Sequence, residues 1–242
     1  MAEHAASFSR RTALQAGLLA LSAAFAGACA SDPPMQLRLA AGEVGGFFWE
    51  FAGLLSESVA KTAVAQIVPL TSAGSVDNLE ALGSRQAELA LTLMDAAYSH
   101  PSGELAAVGC VYENYFQVAV RADSTIESVD DLRGRSVSIG APGSGATEVS
   151  QRVLRAAGVS EDGAVEQVLR REFGTAYEAV LVPANVYGEH QEVTSVGIPN
   201  LLLAHPDVPD RVVAALVGVL LDQSSGLVPS QAIGSQFLDA RS

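Results

Sequence analysis

The chain has 242 residues, a formal net charge of −13 and 49% hydrophobic residues, and only 17% of its residues are charged. That content supports a packed core of one ordinary domain or two small lobes and excludes a wholly disordered chain. The acidic balance excludes a general nucleic-acid binder, the sole lysine (Lys61) lacks the glycine loop of a P-loop nucleotide site, and two cysteines exclude a disulfide-dense or Cys-rich zinc scaffold.

Arg10-Arg11 introduce a stretch without charge from Ala13 to Ala28. It is shorter than the roughly 20 residues a membrane span requires. Basic residues, an apolar run and small residues before a boundary form an export signal, and paired arginines point to the twin-arginine route. Ala26-Gly27-Ala28-Cys29 resembles a lipoprotein cleavage box, with Cys29 as the acylated residue. Residues 1–28 are therefore expected to be removed and residues 29–36 to serve as a tether. The mature protein is then expected in the periplasm or on the outer face of the cytoplasmic membrane, held by its lipid. Cleavage by an ordinary signal peptidase is the alternative, and with it a Cys29–Cys110 disulfide; otherwise Cys110 reads as a small buried side chain in a strand.

From Leu37 onward strands and helices alternate. Leu37–Ala41 reads as a strand, followed by a helix that Gly45-Gly46 open and that runs through Ala60. Ala65–Leu70 is a strand, Ser75–Leu82 a helix and Ala87–Leu93 a strand. Ala106–Tyr112 and Phe116–Arg121 follow as strands, then one helical turn at Ser128–Gly134, a strand at Arg135–Gly140 and a helix from about Thr147 to Ala157. A helix at about Ala164–Phe173 and a strand at Glu178–Val182 come next. Thr194–Ala204 is a strong strand interrupted by Pro199, and Asp207–Leu221 is an apolar helix with Pro209 in its first turn. Apolar strands alternating with helices indicate an α/β sheet with helices on its faces.

Three turns share one design. Gly42–Phe48, Thr71–Asn78 and Ala141–Glu148 are each rich in small residues, and each joins the end of a strand to the start of a helix. Free backbone N–H groups and the positive helix end favour an anion there, and open α/β sheets bind ligands in that region. Each turn taken singly is also an ordinary helix cap. Phe47-Phe48-Trp49 at a helix start reads equally as core packing or as a wall beside a ligand's carbon skeleton. A serine hydrolase using Ser144 lacks the outer glycines of a nucleophile elbow and a histidine partner in the pattern. His100, His190 and His205 lie in turn-like sequence, and no metal-ligand spacing occurs, so no metal and no cofactor is assigned.

These pieces together resemble a known family, the TAXI-type solute-binding proteins of tripartite (TRAP) transporters. The resemblance rests on Thr71–Leu79, the Met94–Tyr98 turn, Val120–Ser124, Ser128–Arg135, Gly140–Gly145 and Val196–Leu202, in that order. It implies an α/β fold of the type II periplasmic-binding-protein kind, with two lobes closing on a ligand. It also implies a non-enzymatic function: capture of a small carboxylate, glutamate or a related dicarboxylate, for delivery to TRAP membrane subunits. This sequence departs from the family in two respects. Glu43 and Val44 intrude in the first turn and Phe47-Phe48-Trp49 replaces a tyrosine pair, while residues 122–193 hold fewer strand–helix units than the family's second lobe.

The expected organisation is a first lobe over 37–121, an abbreviated second lobe over 122–193, and a return hinge strand and C-terminal helix over 194–242 that pack on the first lobe. By the resemblance, Gly45, Gly46, Phe47, Gly74, Ser75, Asn78 and Asp95 would hold the ligand from the first lobe, and Gly143, Ser144 and Thr147 from the second. Two alternatives stay open: an exported lipoprotein that has lost transport, and the exported serine hydrolase.

Overall fold

The computed structural model describes residues 33–100, 103–159, 169, 171–185, 191–230, 232 and 236–237. The export signal and Cys29 lie outside the described residues, as do His190 and most of the helix expected at 164–173.

The strands are β1 (Met35–Ala40), β2 (Ala65–Leu70), β3 (Leu89–Leu93), β4 (Ala106–Phe116), β5 (Glu178–Val182), β6 (Val193–Ala204) and β7 (Gln236–Phe237). The helices are α1 (Phe47–Ala60), α2 (Ser75–Gly83), α3 (Met94–Ser99), α4 (Gly145–Val159) and α5 (Asp210–Asp222). The sheet runs in the order β2-β1-β3-β6-β4-β7, and β5 pairs with β6. β1 is parallel to β2 and β3; β6 is antiparallel to β3, β4 and β5. β3 lies inside the sheet, and all five of its residues are buried, as a strand covered on both faces must be.

One face of the sheet carries α1 and α5. Leu37, Phe51, Leu55, Tyr112, Leu202, Val212 and Leu216 form its core, so the C-terminal helix shares a hydrophobic cluster with the first α/β unit. The other face carries α2, α3 and α4. Leu79, Leu82, Leu93 and Ala96 of the first half (here β1 through β4, the second half running from there to β5) are there in one cluster with Val149, Val153 and Ala156 of α4 and with Tyr177. The helix that follows the third glycine turn thus packs directly on the first half.

Most expected elements form within one to three residues of their sequence bounds. The turn at Ser128–Gly134 is a 3₁₀ turn, Val129–Leu132, with a reciprocal capping box between Ser128 and Asp131. α4 starts at Gly145, two residues early, because Ser144 accepts the Thr147 N–H and caps the helix. Pro199 does not interrupt β6, which continues from Val193 to Ala204.

Two expected strands are corrected. β4 runs unbroken through Phe116, and residues 117–120 beyond it are not in a strand; residues 135–140 are likewise outside any strand. Both segments are largely exposed and line a cavity of about 570 Å³ together with Val129, Leu132 and Val153. In the first half β3 lies between β1 and β6. Among the described residues neither of the two segments is paired with a strand, and an extended segment without a hydrogen-bonded neighbour does not make a ladder.

Candidate functional site

The three glycine turns converge at the C-terminal ends of β1 and β2 and at the start of α4. The first is tied to the second by two hydrogen bonds: Ser72 N–H donates to Gly42 O at 3.1 Å, and Gly42 N–H donates to Ser72 Oγ at 3.0 Å. Gly74 has φ +130° and ψ −148°, a conformation closed to residues with a side chain. The third turn then approaches to contact. A Cβ added at Gly74 would lie 3.1 Å from Ser144 Cα, and one added at Gly143 would lie 3.1 Å from Asp77 Oδ1. At Gly145 a Cβ would collide with the Leu93 side chain and lie 2.8 Å from Ser75 Oγ.

This closeness determines what each expected site residue does. Ser75 is fully buried, and its Oγ accepts the Leu93 N–H at 3.1 Å. Asn78 is fully buried; its Nδ2 donates to Leu91 O at 2.7 Å, and its Oδ1 accepts the Ser72 hydroxyl. Both side chains therefore stitch α2 to β3. Thr147 donates its hydroxyl to Ala141 O at 2.6 Å and lies 3.1 Å from Ser144 Oγ, so the third turn is braced internally. The Ser144 hydroxyl is a helix cap, which gives a nucleophile reading no support. Gly45 and Gly46 lie in the turn that opens α1, where Gly46 N–H donates to Glu43 O at 3.0 Å; Glu43 and Val44 are exposed.

Asp95 is fully buried at the start of α3, and its carboxylate is fully engaged. Oδ1 accepts the Ala96 N–H at 2.7 Å, and Oδ2 accepts the Tyr177 hydroxyl at 2.5 Å and an N–H of Arg152. Arg152, 4% exposed, also donates to Glu148 Oε2 at 3.0 Å and Ser99 Oγ at 2.9 Å, and its guanidinium lies 4.8 Å from the Phe173 ring centre. Burial pushes the Tyr177 hydroxyl well above its ordinary value, and the Asp95 carboxylate adds to that. Burial opposes the charge on Arg152, but Asp95, Tyr177 and Glu148 outweigh it and raise its pKa. The family resemblance places Asp95 at the ligand, and the sequence does not pair it with Arg152 or Tyr177. One signal was available: Arg152 sits among Val149, Val153 and Ala156, on the face of α4 that is otherwise apolar.

Open space remains beside this seam. A cavity of about 480 Å³ is bordered by Phe47 at the start of α1, Leu93 at the end of β3, Gly140 and Ala146 at the third turn, and Asn114, Gln117, Ser138 and Ser150. None of the described residues lining it is charged. It receives the N-terminal ends of two helices, α1 at Phe47 and α4 at Ala146. Phe47 serves both readings made of the aromatic run, because its ring lies 4.6 Å from that of the buried Tyr112 and it also lines the cavity. Among the described residues no group of three or more His, Cys, Asp or Glu is arranged to hold a metal, and no helix is long and apolar enough to cross a membrane. Cys110 is a free, half-buried thiol on β4, its pKa raised by burial and by Glu113.

Among solved structures, the chain is similar to the periplasmic binding protein BugD, with a TM-score of 0.54, 16% identity, and 86% of this chain and 89% of that one covered. The similarity at that identity is one of fold, and it is the α/β fold of periplasmic binding proteins. Weaker likenesses are to the sugar acid binding protein DctPAm from Advenella mimigardefordensis in complex with galactonate (TM-score 0.43, 12% identity, 81% and 79% covered) and to a TRAP periplasmic solute binding protein from Rhodobacter sphaeroides (TM-score 0.38, 13% identity, 76% and 76% covered). Residues 39–172, more than half of the chain, match the model of the NMT1-like family. They run from the end of β1 through all three glycine turns and α4, and on that match the chain belongs to the NMT1-like family.

Proposed function

We propose that this protein is an exported solute-binding protein whose ligand is a small carboxylate held in the 480 Å³ cavity between Phe47 and Ala146. The observation that carries the reading is the convergence of two helix N-termini on one uncharged cavity. Backbone N–H groups and the helix dipoles supply positive potential without a buried side-chain charge that would need desolvation. Phe47, Leu93 and Ile198 supply an apolar wall for the carbon skeleton, and Asn114, Gln117, Ser138 and Ser150 supply neutral hydrogen-bonding groups. No covalent step is needed.

The lining also ranks the candidates. Glutamate carries an ammonium group, and among the described residues no carboxylate lines the cavity to receive it, Asp95 being engaged with Arg152 and Tyr177. A keto-dicarboxylate such as 2-oxoglutarate has no such group and fits better. Delivery to TRAP-type membrane subunits, a TAXI-type relationship and a lipid anchor on Cys29 belong to the same reading, which draws them from the sequence resemblance.

Calorimetric titration of the purified protein with 2-oxoglutarate, glutamate and a panel of mono- and dicarboxylates tests it. Heat of binding is expected for the wild type and is lost in Ala146→Trp, which fills the cavity from an exposed helix position. No response to any acid from a folded wild type would overturn the reading in favour of an exported lipoprotein without transport activity.

A further inference from the structure

Proteins of this fold bind by bringing two halves together, and closure is ordinarily driven by the ligand between them. Here the contact between the halves is already complete in the chain itself. Asp95 and Ser99 belong to α3, at the end of β3 in the first half; Arg152 and Glu148 belong to α4, and Tyr177 lies further along the second half. Asp95 is 0%, Arg152 4% and Tyr177 0% exposed. Alongside them Gly145 packs without room for a methyl group on Leu93 and Ser75, and Val149 and Val153 are buried in the same cluster as Leu79 and Ala96.

We propose that Asp95, Arg152 and Tyr177 form an internal latch that holds α4 on the first half in the absence of ligand, so that closure of this protein does not depend on what it binds. A buried ion pair adds little net stability, since desolvation of both charges offsets their attraction. Its effect is positional. Once water is excluded, the Asp95 carboxylate keeps its charge partner and its hydrogen bonds only when Arg152 and Tyr177 are both in place, and a separation too narrow to admit water leaves a charge desolvated and unpaired, so the seam resists partial loosening. Ser99, Glu148 and the Phe173 ring fix the guanidinium from its remaining sides, so it has one seat. The latch is tested separately from the ligand reading, because it concerns the ligand-free protein and its three side chains, Asp95, Arg152 and Tyr177, are not among the described residues that line the 480 Å³ cavity.

The test is a distance measurement on the full chain, with Cys29→Ser and Cys110→Ala and spin labels on cysteines placed at the exposed positions Glu57 and Arg155. The ligand-free protein is expected to give a single narrow distance, unchanged by added 2-oxoglutarate. The double variant Asp95→Asn/Arg152→Met, which removes both charges and keeps the volume, is expected to broaden that distribution. In the same variant hydrogen exchange of the amides in 140–149 is expected to accelerate roughly tenfold or more, while those of β1 and β3 stay slow. Tyr177→Phe removes one bond, leaves both charges, and is expected to shift exchange in the same direction by less; it decides the matter should the double variant not fold. A broad or two-peaked distribution in the ligand-free wild type would overturn the proposal. So would variants with the narrow peak and the exchange pattern of the wild type. Failure to bind any carboxylate, with the narrow peak retained, would instead count against the ligand reading alone.

Discussion

Asn78 reaches from α2 to donate its Nδ2 to the carbonyl oxygen of Leu91, 2.7 Å away on β3. The bond lies in the protein interior, and the same side chain accepts the Ser72 hydroxyl from the turn before α2. One amide thus fixes a glycine turn, a helix and a buried strand relative to each other. Truncating it leaves the Leu91 carbonyl and the Ser72 hydroxyl without that partner. Asn78→Ala is expected to cost about 1–3 kcal/mol by urea denaturation. Asn78→Asp is expected to do no better, because a carboxylate cannot donate to Leu91 O.

Two glycines predict opposite outcomes. At Gly145 a methyl group meets Leu93 and Ser75, so Gly145→Ala must push α4 away from β3, with an expected loss of about 1–3 kcal/mol. Gly53 lies within α1 and has nothing within 4 Å of the position a Cβ would take. Gly53→Ala relieves the entropic cost of a helical glycine and is expected to add about 0.5–1 kcal/mol. Thermal melts of the two variants side by side check both signs.

The C-terminal helix is a structural part of the first half's core. Leu216 on α5 is fully buried in one cluster with Phe51, Leu55 and Tyr112. Leu216→Ala is expected to destabilise the fold by about 2–5 kcal/mol, seen as a lower denaturation midpoint with an unchanged slope. A variant in which α5 melts separately from the sheet would contradict this packing.

Glu113 supplies a pH signature. Its carboxylate lies over Gly197, and burial, followed by the neighbouring charge of Glu178, raises its pKa. The folded state therefore holds that proton more tightly than the unfolded chain does. Stability from this group is present at low pH and is lost as pH rises through the raised value. Glu113→Gln is expected to melt higher than the wild type at about pH 8, with the advantage shrinking toward about pH 4. A pH-independent difference would show that the carboxylate's charge is not the cause.

Much of this molecule is legible in the sequence because it is local. Strand and helix periods and the glycine turns that join them depend on neighbours a few residues apart, and most of these elements form within one to three residues of their expected place. The same local signals gave strands at Phe116–Arg121 and Arg135–Gly140. Those segments are strand-like in composition, but a ladder needs a partner, and whether one lies alongside is a property of the whole chain.

The site divides in the same way. Sequence alone marked the three turns and Asp95. Only the tertiary structure decided what they do, because the partners are remote: Arg152 lies 57 positions from Asp95, and Tyr177 lies 82. Ser75 and Asn78 have the side chains of ligand-binding residues, yet burial directs them to β3. A polar group taken out of water must find a hydrogen-bond partner, and which partner it finds depends on what the fold brings within about 3 Å.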